Sequence, residues 1–342
     1  MQRIQLGNTV FEGANDVYVL DGETTALIDT GVSLPGVRRE LQEGLADLGL
    51  SFEEVDEVFL THWHPDHAGL AGEIQAASGA TVRIHEADAP LIDGSQRSLL
   101  EDPDAQRAQF DAWGMPAESR EALRSFLDGV MNDLRGEPVD AVSLAGGDEF
   151  EVNDARLEAV HLPGHTAGSV AFQFPTAGSD RETAAGRRRE AFVGDVLLPE
   201  YTPNVGGADT RLENPLGAYL ESLVSVIDRG WSRAWPGHRY PIEDPAGRAA
   251  TILEHHRRRT ERVVDVLAKH GPATVWSVSA RLFGDLETIH ILHGPGEASA
   301  HLEHLERAEI VERDGEEYAL LDDSPDVDAL FPSPSRPTSS GA

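Results

Sequence analysis

The chain has 342 residues and no cysteine, and its 60 acidic against 28 basic residues give a formal net charge of −32. The absence of cysteine excludes disulfides, thiolate metal ligands and a cysteine nucleophile. No run of about 18 apolar residues predicts a membrane span. The first residues also lack the apolar run of a signal peptide, so we expect a cytoplasmic protein. The acidity is spread along the whole chain, which favours solvation in molar salt, as in halophilic archaea, over repulsion of polyanions.

The first predicted element is a β-hairpin over residues 4 to 29, where short apolar runs alternate with turn residues. Its second strand ends at Asp29, and apolar residues at helical spacing predict a helix after it. Two interpretations of Asp29 stay open. It is either a turn-forming aspartate or a carboxylate that orients a nearby imidazole.

The next predicted strand, residues 55 to 60, leads into a dense group of metal-ligand side chains. His62, His64, Asp66 and His67 fall within six positions. Imidazole and carboxylate suit borderline divalent ions, and packing alone rarely gathers them in this way. Loops on a rigid scaffold are where functional sites usually lie, so the sequence predicts a metal site after this strand.

A strand over residues 80 to 85 and a polar helical insertion over residues 93 to 137 follow. His85 ends the strand without a second ligand spaced to help it, so we expect a structural or rim role. The insertion carries large apolar residues, among them Trp113. They pack on the core or form a lid over the site, because long insertions in compact domains are often functional.

Three more predicted strand ends carry ligand-type side chains. These are His165 in a Pro-Gly-His-Thr turn, Asp195 in a Gly-Asp pair and His238 in a second Pro-Gly-His turn. Together with the first group they make five histidines and two aspartates, enough for two metal ions. An irregular stretch after Asp195 contains Tyr201 and Asn204, which with Trp113 are candidates for the substrate pocket.

The C-terminal part of the sequence predicts a different arrangement of secondary structure. Residues 246 to 270 predict a linking helix, and residues 271 to 321 predict helices at 273 to 283 and 296 to 306 and a hairpin from 310 to 320, a winged-helix arrangement. Residues 322 to 342, rich in Pro, Ser and Asp, predict a disordered tail. Glutamates dominate the second helix, so we expect this helix to bind the phosphates of a nucleic acid poorly. Its His301 and His304, three positions apart, could bind a metal, but we expect them on an exposed polar face.

The ordered motifs, His-x-His-x-Asp-His, Pro-Gly-His-Thr, Gly-Asp and Pro-Gly-His, resemble the metallo-β-lactamase superfamily over about residues 4 to 245. The resemblance implies a catalytic domain over residues 1 to 245 with a four-layer αβ/βα sandwich fold. It also implies two divalent metal ions, with zinc favoured and iron or manganese as alternatives. In that pattern His161 is not a ligand. One ion takes His62, His64 and His165, and the other takes Asp66, His67 and His238, with Asp195 able to bridge.

The resemblance implies hydrolysis by a metal-bridging hydroxide, with Asp66 as the catalytic residue that orients it or carries its proton. The Asp-Thr-Gly and His-cluster motifs resemble glyoxalase II-like thioester hydrolases, although the helical thiol-binding domain of those enzymes is missing. The C-terminal module resembles that of β-lactamase-like ribonucleases. We therefore expect a hydrolase of a small-molecule ester or thioester, with a single-strand RNA endonuclease as the alternative. A transcription-linked metal sensor is a third class.

The winged-helix module has three expected roles. It packs on the catalytic domain, braces the insertion or mediates homodimer contact. The arginine run Arg257 to Arg259 in the linking helix is the part of the chain on which the RNA alternative depends.

Overall fold

The computed structural model describes residues 1–8, 12–134, 136–176, 188–322 and 325–332. Two β-sheets form its centre. The strands of the first are β1 Gln2–Gln5, β2 Asp16–Leu20, β3 Ala26–Ile28, β4 Glu57–Phe59, β5 Thr81–His85 and β6 Ala141–Leu144, in spatial order β1-β2-β3-β4-β5-β6. The strands of the second are β7 Glu149–Val152, β8 Ala155–His161, β9 Val170–Pro175, β10 Arg189–Gly194 and β11 Arg233–Pro236, in order β11-β10-β9-β8-β7.

Helices cover the outer faces of both sheets. The helices around the first sheet are α1 Pro35–Asp47, α2 Pro65–Ala68, α3 Ala71–Ser78 and α4 Ala89–Ile92. The insertion contains α5 Pro103–Ala112 and α6 Ala117–Leu134, and the second sheet is followed by α7 Pro215–Arg229 and α8 Pro245–His270. A short 3-10 helix, Phe52–Glu54, precedes β4. None of the helices in the described residues is long and apolar enough to cross a membrane.

The two sheets pack face to face through aromatic side chains. The rings of Tyr18 and Phe192 are 5.0 Å apart, and those of Phe59 and Phe172 are 5.4 Å apart. Separate apolar clusters join the first sheet to α1 and α3 and the second sheet to α7 and α8. In α1 the residues that face the sheet recur every four positions, as an amphipathic helix requires. The αβ/βα sandwich is confirmed.

Strand direction explains why the ligand-bearing loops converge. β3, β4 and β5 are parallel, so the loops that follow β3 and β4 leave the first sheet at the same edge. β10 and β11 are also parallel, and the loops after them leave the second sheet together. The face-to-face packing brings these two edges side by side.

The C-terminal part contains β12 Ala273–Thr274, α9 Val275–Phe283, α10 His290–Arg307, β13 Val311–Asp314 and β14 Glu317–Leu320. Its strands form a small sheet in the order β12-β14-β13. The second helix, α10, begins six residues before the predicted start at 296 and continues through Pro295. The prediction began after Pro295 because proline lacks an N–H and normally interrupts a helix.

The exposed polar face predicted for His301 and His304 of α10 is wrong at His301, and His304 is half-buried. His301 is fully buried and Glu297 is only 6% exposed. The cause is long-range packing, because α10 contacts both α7 and α8 in addition to α9.

The insertion packs on this C-terminal unit. Phe110, Trp113 and Leu123 share an apolar cluster with residues of α8, α9 and α10. Trp113 is 1% exposed, and its backbone oxygen accepts a hydrogen bond from Trp276 N. The prediction that Trp113 lines the substrate pocket is therefore wrong, because apolar partners from the C-terminal helices bury its ring.

Part of the predicted disordered tail is ordered. Val327–Leu330 form a 3-10 helix whose Val327 is buried in the same apolar cluster, with Phe331 packed beside it. Apolar side chains within a polar segment account for this docking. Residues 323–324 and 333–342, where the same prediction falls, lie outside the described residues.

Candidate metal centre

The seven predicted ligands lie together at the common edge of the two sheets. Three groups of them each have their ligand atoms within 4.8 Å of one another, and these groups are His62, His64 and His165; His62, His67 and Asp195; and Asp66, His67 and His238. All are buried except His64, which is partly exposed. The structure therefore unites residues that are up to 176 positions apart in the chain.

The first group is made of three imidazoles. His62 Nε2 lies 3.0 Å from His64 Nδ1, which lies 2.9 Å from His165 Nε2. Burial lowers the pKa of His62 and His64 well below the usual value, and the neighbouring histidines lower it further. Neutral imidazole is the form that binds a metal ion, so this group is ready to act as a ligand set.

The second group carries the carboxylates. His67 Nε2 lies 3.3 Å from Asp195 Oδ1, and His238 Nε2 lies 3.4 Å from the same oxygen and 3.5 Å from Asp66 Oδ2. Asp195 Oδ2 is 3.7 Å from His165 Nε2. Asp195 thus faces both groups, one with each oxygen.

The carboxylates of the second group favour positive charge beside them. Burial lowers the pKa of His238, but Asp195 and Asp66 outweigh it and raise the value to about 9. Burial likewise lowers the pKa of His67, and Asp195 leads the carboxylates that raise it well above the usual range. The carboxylates therefore stabilise positive charge at the position of these imidazoles.

The atoms that point to the centre lack other partners. Within the described residues, the buried His67 Nε2, His238 Nε2 and Asp195 Oδ1 make no hydrogen bond of acceptable geometry. Unpaired buried polar atoms are costly, and native proteins rarely leave several of them together. Divalent ions would satisfy these atoms, so the side chains present fit a metal centre.

The opposite nitrogen of four histidines is held by the protein. His67 Nδ1 contacts Asp29 Oδ2 at 2.9 Å, and His62 Nδ1 contacts Thr61 Oγ1 at 3.1 Å. The Nδ1 atoms of His165 and His238 contact the backbone oxygens of Asn204 and Gly13 at 2.9 and 2.8 Å. Such contacts fix the ring orientation and tautomer of metal-ligating histidines.

Asp29 combines both interpretations that the sequence left open. Its backbone adopts the left-handed region, with φ of 58°, and so forms the turn after β3. Its carboxylate contacts His67 and also accepts hydrogen bonds from Thr61 N and Oγ1 at 2.8 Å. Aspartate tolerates this conformation better than most residues, and strained positions of this kind cluster at functional sites.

The Pro-Gly-His turn after β11 requires its glycine. A Cβ at Gly237 would collide with the His67 ring and would lie 3.0 Å from Asp195 Oδ1. The backbone therefore passes directly over two predicted ligands, which places His238 beside them.

Asp88, Asp209 and Arg211 were missed by sequence reasoning, although they hold two histidine loops together. Asp88 accepts hydrogen bonds from Trp63 N, Thr166 Oγ1 and Gly168 N, and Arg211 Nη2 lies 2.6 Å from it. Burial raises the pKa of Asp88, and Arg211 opposes that effect. The network joins the loop of His64 to the loop of His165.

The N-terminal loop supplies further groups. Asn15 Nδ2 lies 3.4 Å from Asp66 Oδ2, and Gly13 O accepts from His238. Burial and the charge of Asp195 raise the pKa of the partly buried Glu12. No spacing signal connects this loop to the histidines, because β1 and β2 position it.

The candidate pocket residues Tyr201 and Asn204 have different surroundings. Tyr201 is 51% exposed, and its ring lies 4.8 Å from the guanidinium of Arg239, which follows His238. Asn204 holds His165 through its backbone oxygen, and its side-chain Nδ2 lies 3.2 Å from His293 O of α10. His85 stacks on His161 at 4.0 Å, outside the ligand groups.

Comparison with known proteins identifies the family to which this fold belongs. A profile described as the metallo-beta-lactamase superfamily matches residues 10–178. A metallo-beta-lactamase family protein from Thermus thermophilus is 31% identical, with a TM-score of 0.76 over 93% of this chain and 98% of that chain. The chain belongs to the metallo-β-lactamase superfamily, whose members are mostly hydrolases.

Two curated relatives bear on the activity. A probable metallo-hydrolase of Bacillus subtilis is 25% identical over 308 residues, covering 86% of this chain and 88% of its own. An atrochrysone carboxyl ACP thioesterase of Aspergillus chevalieri is 25% identical over 285 residues, covering 81% of this chain and 70% of its own. Both similarities extend well beyond the histidine motifs.

Proposed function

We propose that the chain is a dinuclear metal-dependent hydrolase of small-molecule esters or thioesters. The observation that carries the proposal is Asp195, whose two oxygens face two separate ligand groups. His62, His64 and His165 would hold one ion, and Asp66, His67 and His238 would hold the other. Nitrogen and oxygen ligands of this kind favour zinc, and iron or manganese would also fit.

When bound, two divalent ions lower the pKa of water towards neutrality and polarise a carbonyl group. The residues of the chain supply the orientation. Asp29, Thr61 and the Asn204 backbone fix the imidazoles from behind. Asp66, a member of the second group, would take a proton from water and pass it to the departing sulfur or oxygen.

The thioesterase relative supports the substrate class. In thioester hydrolysis water adds to the carbonyl carbon, the C–S bond breaks, and the sulfur leaves with a proton as a thiol. The other product is a carboxylic acid. The reaction consumes one water and needs no oxidant or reductant.

The RNA alternative depends on arginines that already have partners within the chain. Arg258, Arg259 and Arg262 line an open groove of about 700 Å³ on α8. Arg258 is paired with Glu254, Arg259 with Glu297, and Arg262 donates to Leu282 O. Ion pairs that must break before phosphate binds make this surface a poor nucleic-acid contact.

We further propose that residues 271–321 are a winged-helix module that braces the catalytic domain. Its helix α10 contacts α7 and α8, and the insertion packs against it. We also propose that the net charge of −32 is an adaptation to high salt. A thermal melting series in KCl tests the latter, because a melting temperature indifferent to salt would contradict it.

The function is tested with thiol release from short acyl thioesters, in parallel with aryl esters and single-stranded RNA, in high KCl. A thiol-reactive dye gives no protein background because the chain has no cysteine. We expect thioester or ester hydrolysis that chelation abolishes and Zn²⁺ restores. RNA cleavage without ester or thioester hydrolysis would overturn the proposed substrate class.

A further inference from the structure

A second buried group of ligand-type side chains lies between α8 and α10. His256 comes from α8, and Glu297 and His301 come from α10. His256 Nδ1 and His301 Nε2 are 3.3 Å apart, and Glu297 Oε1 lies 3.7 Å from each of them. We call these three residues the helix-face cluster, and the seven ligands at the sheet edges the strand-end cluster.

The helical repeat creates the helix-face cluster. Glu297 and His301 are four positions apart, so both project from the same side of α10. The packing of α10 on α8 then sets His256 opposite them. All three side chains are buried, and His256 and His301 are 0% exposed.

Thr260 fixes the tautomer of His301. Its hydroxyl donates to His256 O at 3.0 Å and therefore accepts from His301 Nδ1 at 2.7 Å. With the proton on Nδ1, the lone pair of His301 Nε2 points into the cluster. A residue behind the ring plays the same role at metal-ligating histidines.

The remaining atoms also suit a cation. Glu297 Oε1 makes no hydrogen bond of acceptable geometry within the described residues, although Arg259 Nη1 lies 3.2 Å from it. A carboxylate oxygen has two lone pairs and can face an ion and Arg259 together. His256 is fully buried in the same cluster, and its Nδ1 faces both His301 Nε2 and Glu297 Oε1.

We propose that the helix-face cluster binds one further divalent cation of the zinc class through His256 Nδ1, His301 Nε2 and Glu297 Oε1. Two imidazoles and a carboxylate form a known zinc ligand set, with water completing the coordination. Because the three ligands are buried, the site is structural and clamps α10 to α8. Without a cation, the two rings share one hydrogen bond and the carboxylate relies on Arg259.

The proposed site is connected to the strand-end cluster. Glu297 Oε2 lies 3.4 Å from Asn204 Nδ2, and the backbone oxygen of Asn204 holds His165. The clamp therefore supports the loop that orients a predicted active-site ligand. The proposal does not depend on which substrate the strand-end cluster hydrolyses.

The test is the metal content of the full-length chain after loading with Zn²⁺ alone and desalting. We expect three equivalents for the natural chain, two for His301→Gln, and three for the control His304→Gln, which alters a histidine one turn further along α10. Equal zinc content in the natural chain and His301→Gln would overturn the proposal.

If His301→Gln does not fold, a second variant tests whether the helix-face cluster binds zinc. The variant His62→Ala/His64→Ala/His67→Ala/His238→Ala removes ligands from the strand-end cluster and leaves α8 and α10 intact. It should retain one equivalent of zinc, and in cobalt-substituted form it should show visible absorption. A zinc content of zero would overturn the proposal, whereas the activity of the natural chain tests the proposed function separately.

Discussion

The strand-end and helix-face clusters use the same residue types in opposite settings. The strand-end cluster comes from loops at the edges of two sheets and includes His64, which is half-buried as a residue. The helix-face cluster is enclosed between two helices. Loops on a rigid scaffold are where functional sites usually lie. Position on loops or between packed helices, more than ligand identity, therefore favours different roles for the two clusters.

Charge separates the two clusters as well. Carboxylates raise the pKa of His238 to about 9, whereas burial lowers that of His256 to about 3. In the helix-face cluster Arg259 already offsets part of the charge of Glu297. We therefore expect tighter cation binding at the strand-end cluster.

The most severe test of the strand-end cluster is Asp195→Ala. The substitution removes the carboxylate that faces both ligand groups, so we expect kcat/KM for thioester or ester hydrolysis to fall about 10³-fold or more. Zinc content should also fall. His161→Ala is the control, because that ring stacks on His85 outside the ligand groups. Retention of more than a tenth of the activity by Asp195→Ala would contradict the assignment.

Asp29→Asn tests the support behind His67. An amide in place of the carboxylate weakens the contact with His67 Nδ1, and losses of such partners lower metal affinity about 10- to 100-fold. Zinc competition with a chromophoric chelator measures the change. Asp56→Asn alters a carboxylate that accepts a hydrogen bond from Thr25 N, away from the histidines, and it should leave zinc affinity unchanged. An equal loss in both variants would indicate a general effect on folding.

Asn204→Ala tests whether the two clusters communicate. The variant keeps the backbone oxygen that holds His165 but loses the side-chain contacts with His293 O and Glu297. We expect about a tenfold fall in kcat with zinc content unchanged. Asn153→Ala, which removes contacts with Thr24 at the opposite end of the sheet, is the matched control. An unchanged kcat would show that the clusters are independent.

The smallest effect concerns His85, a buried histidine outside both clusters. Burial and His161 lower its pKa to about 4 from an ordinary value of about 6.5. Between these values the unfolded chain binds the proton and the folded chain does not, so stability falls as pH falls. We expect the loss between pH 7 and pH 5 to be about 1 kcal/mol smaller in His85→Phe, after allowance for solvent screening. Urea unfolding at both pH values measures the free energy of unfolding of the natural chain and of His85→Phe. Equal losses in the two proteins would contradict the role assigned to His85.

The sequence was sufficient for the sandwich through the family resemblance of its motifs. It was also sufficient to group the seven candidate ligands, because they end predicted strands. It was insufficient where distant elements meet. Gly13 and Asn15 reach the centre only through the pairing of β1 with β2, and Asp88 and Arg211 join two loops from 123 positions apart. These contacts leave no periodic pattern.

The helix-face cluster shows the same limit more sharply. Glu297 and His301 have the spacing of a solvent-exposed helix face, and no sequence signal showed that α8 would cover them. Trp113 was similarly assigned to the pocket because its burial partners come from a different part of the chain. Tertiary packing decides whether a polar stripe faces solvent or a partner helix.

Titration of the metal-free chain with Zn²⁺, with thioester or ester hydrolysis measured at each step, tests the central claim most directly. The His301→Gln variant is suitable because it isolates the strand-end cluster. The account predicts that hydrolysis rises to a plateau at two equivalents. A plateau at one equivalent would contradict the dinuclear centre, and no hydrolysis at any loading would contradict the proposed function.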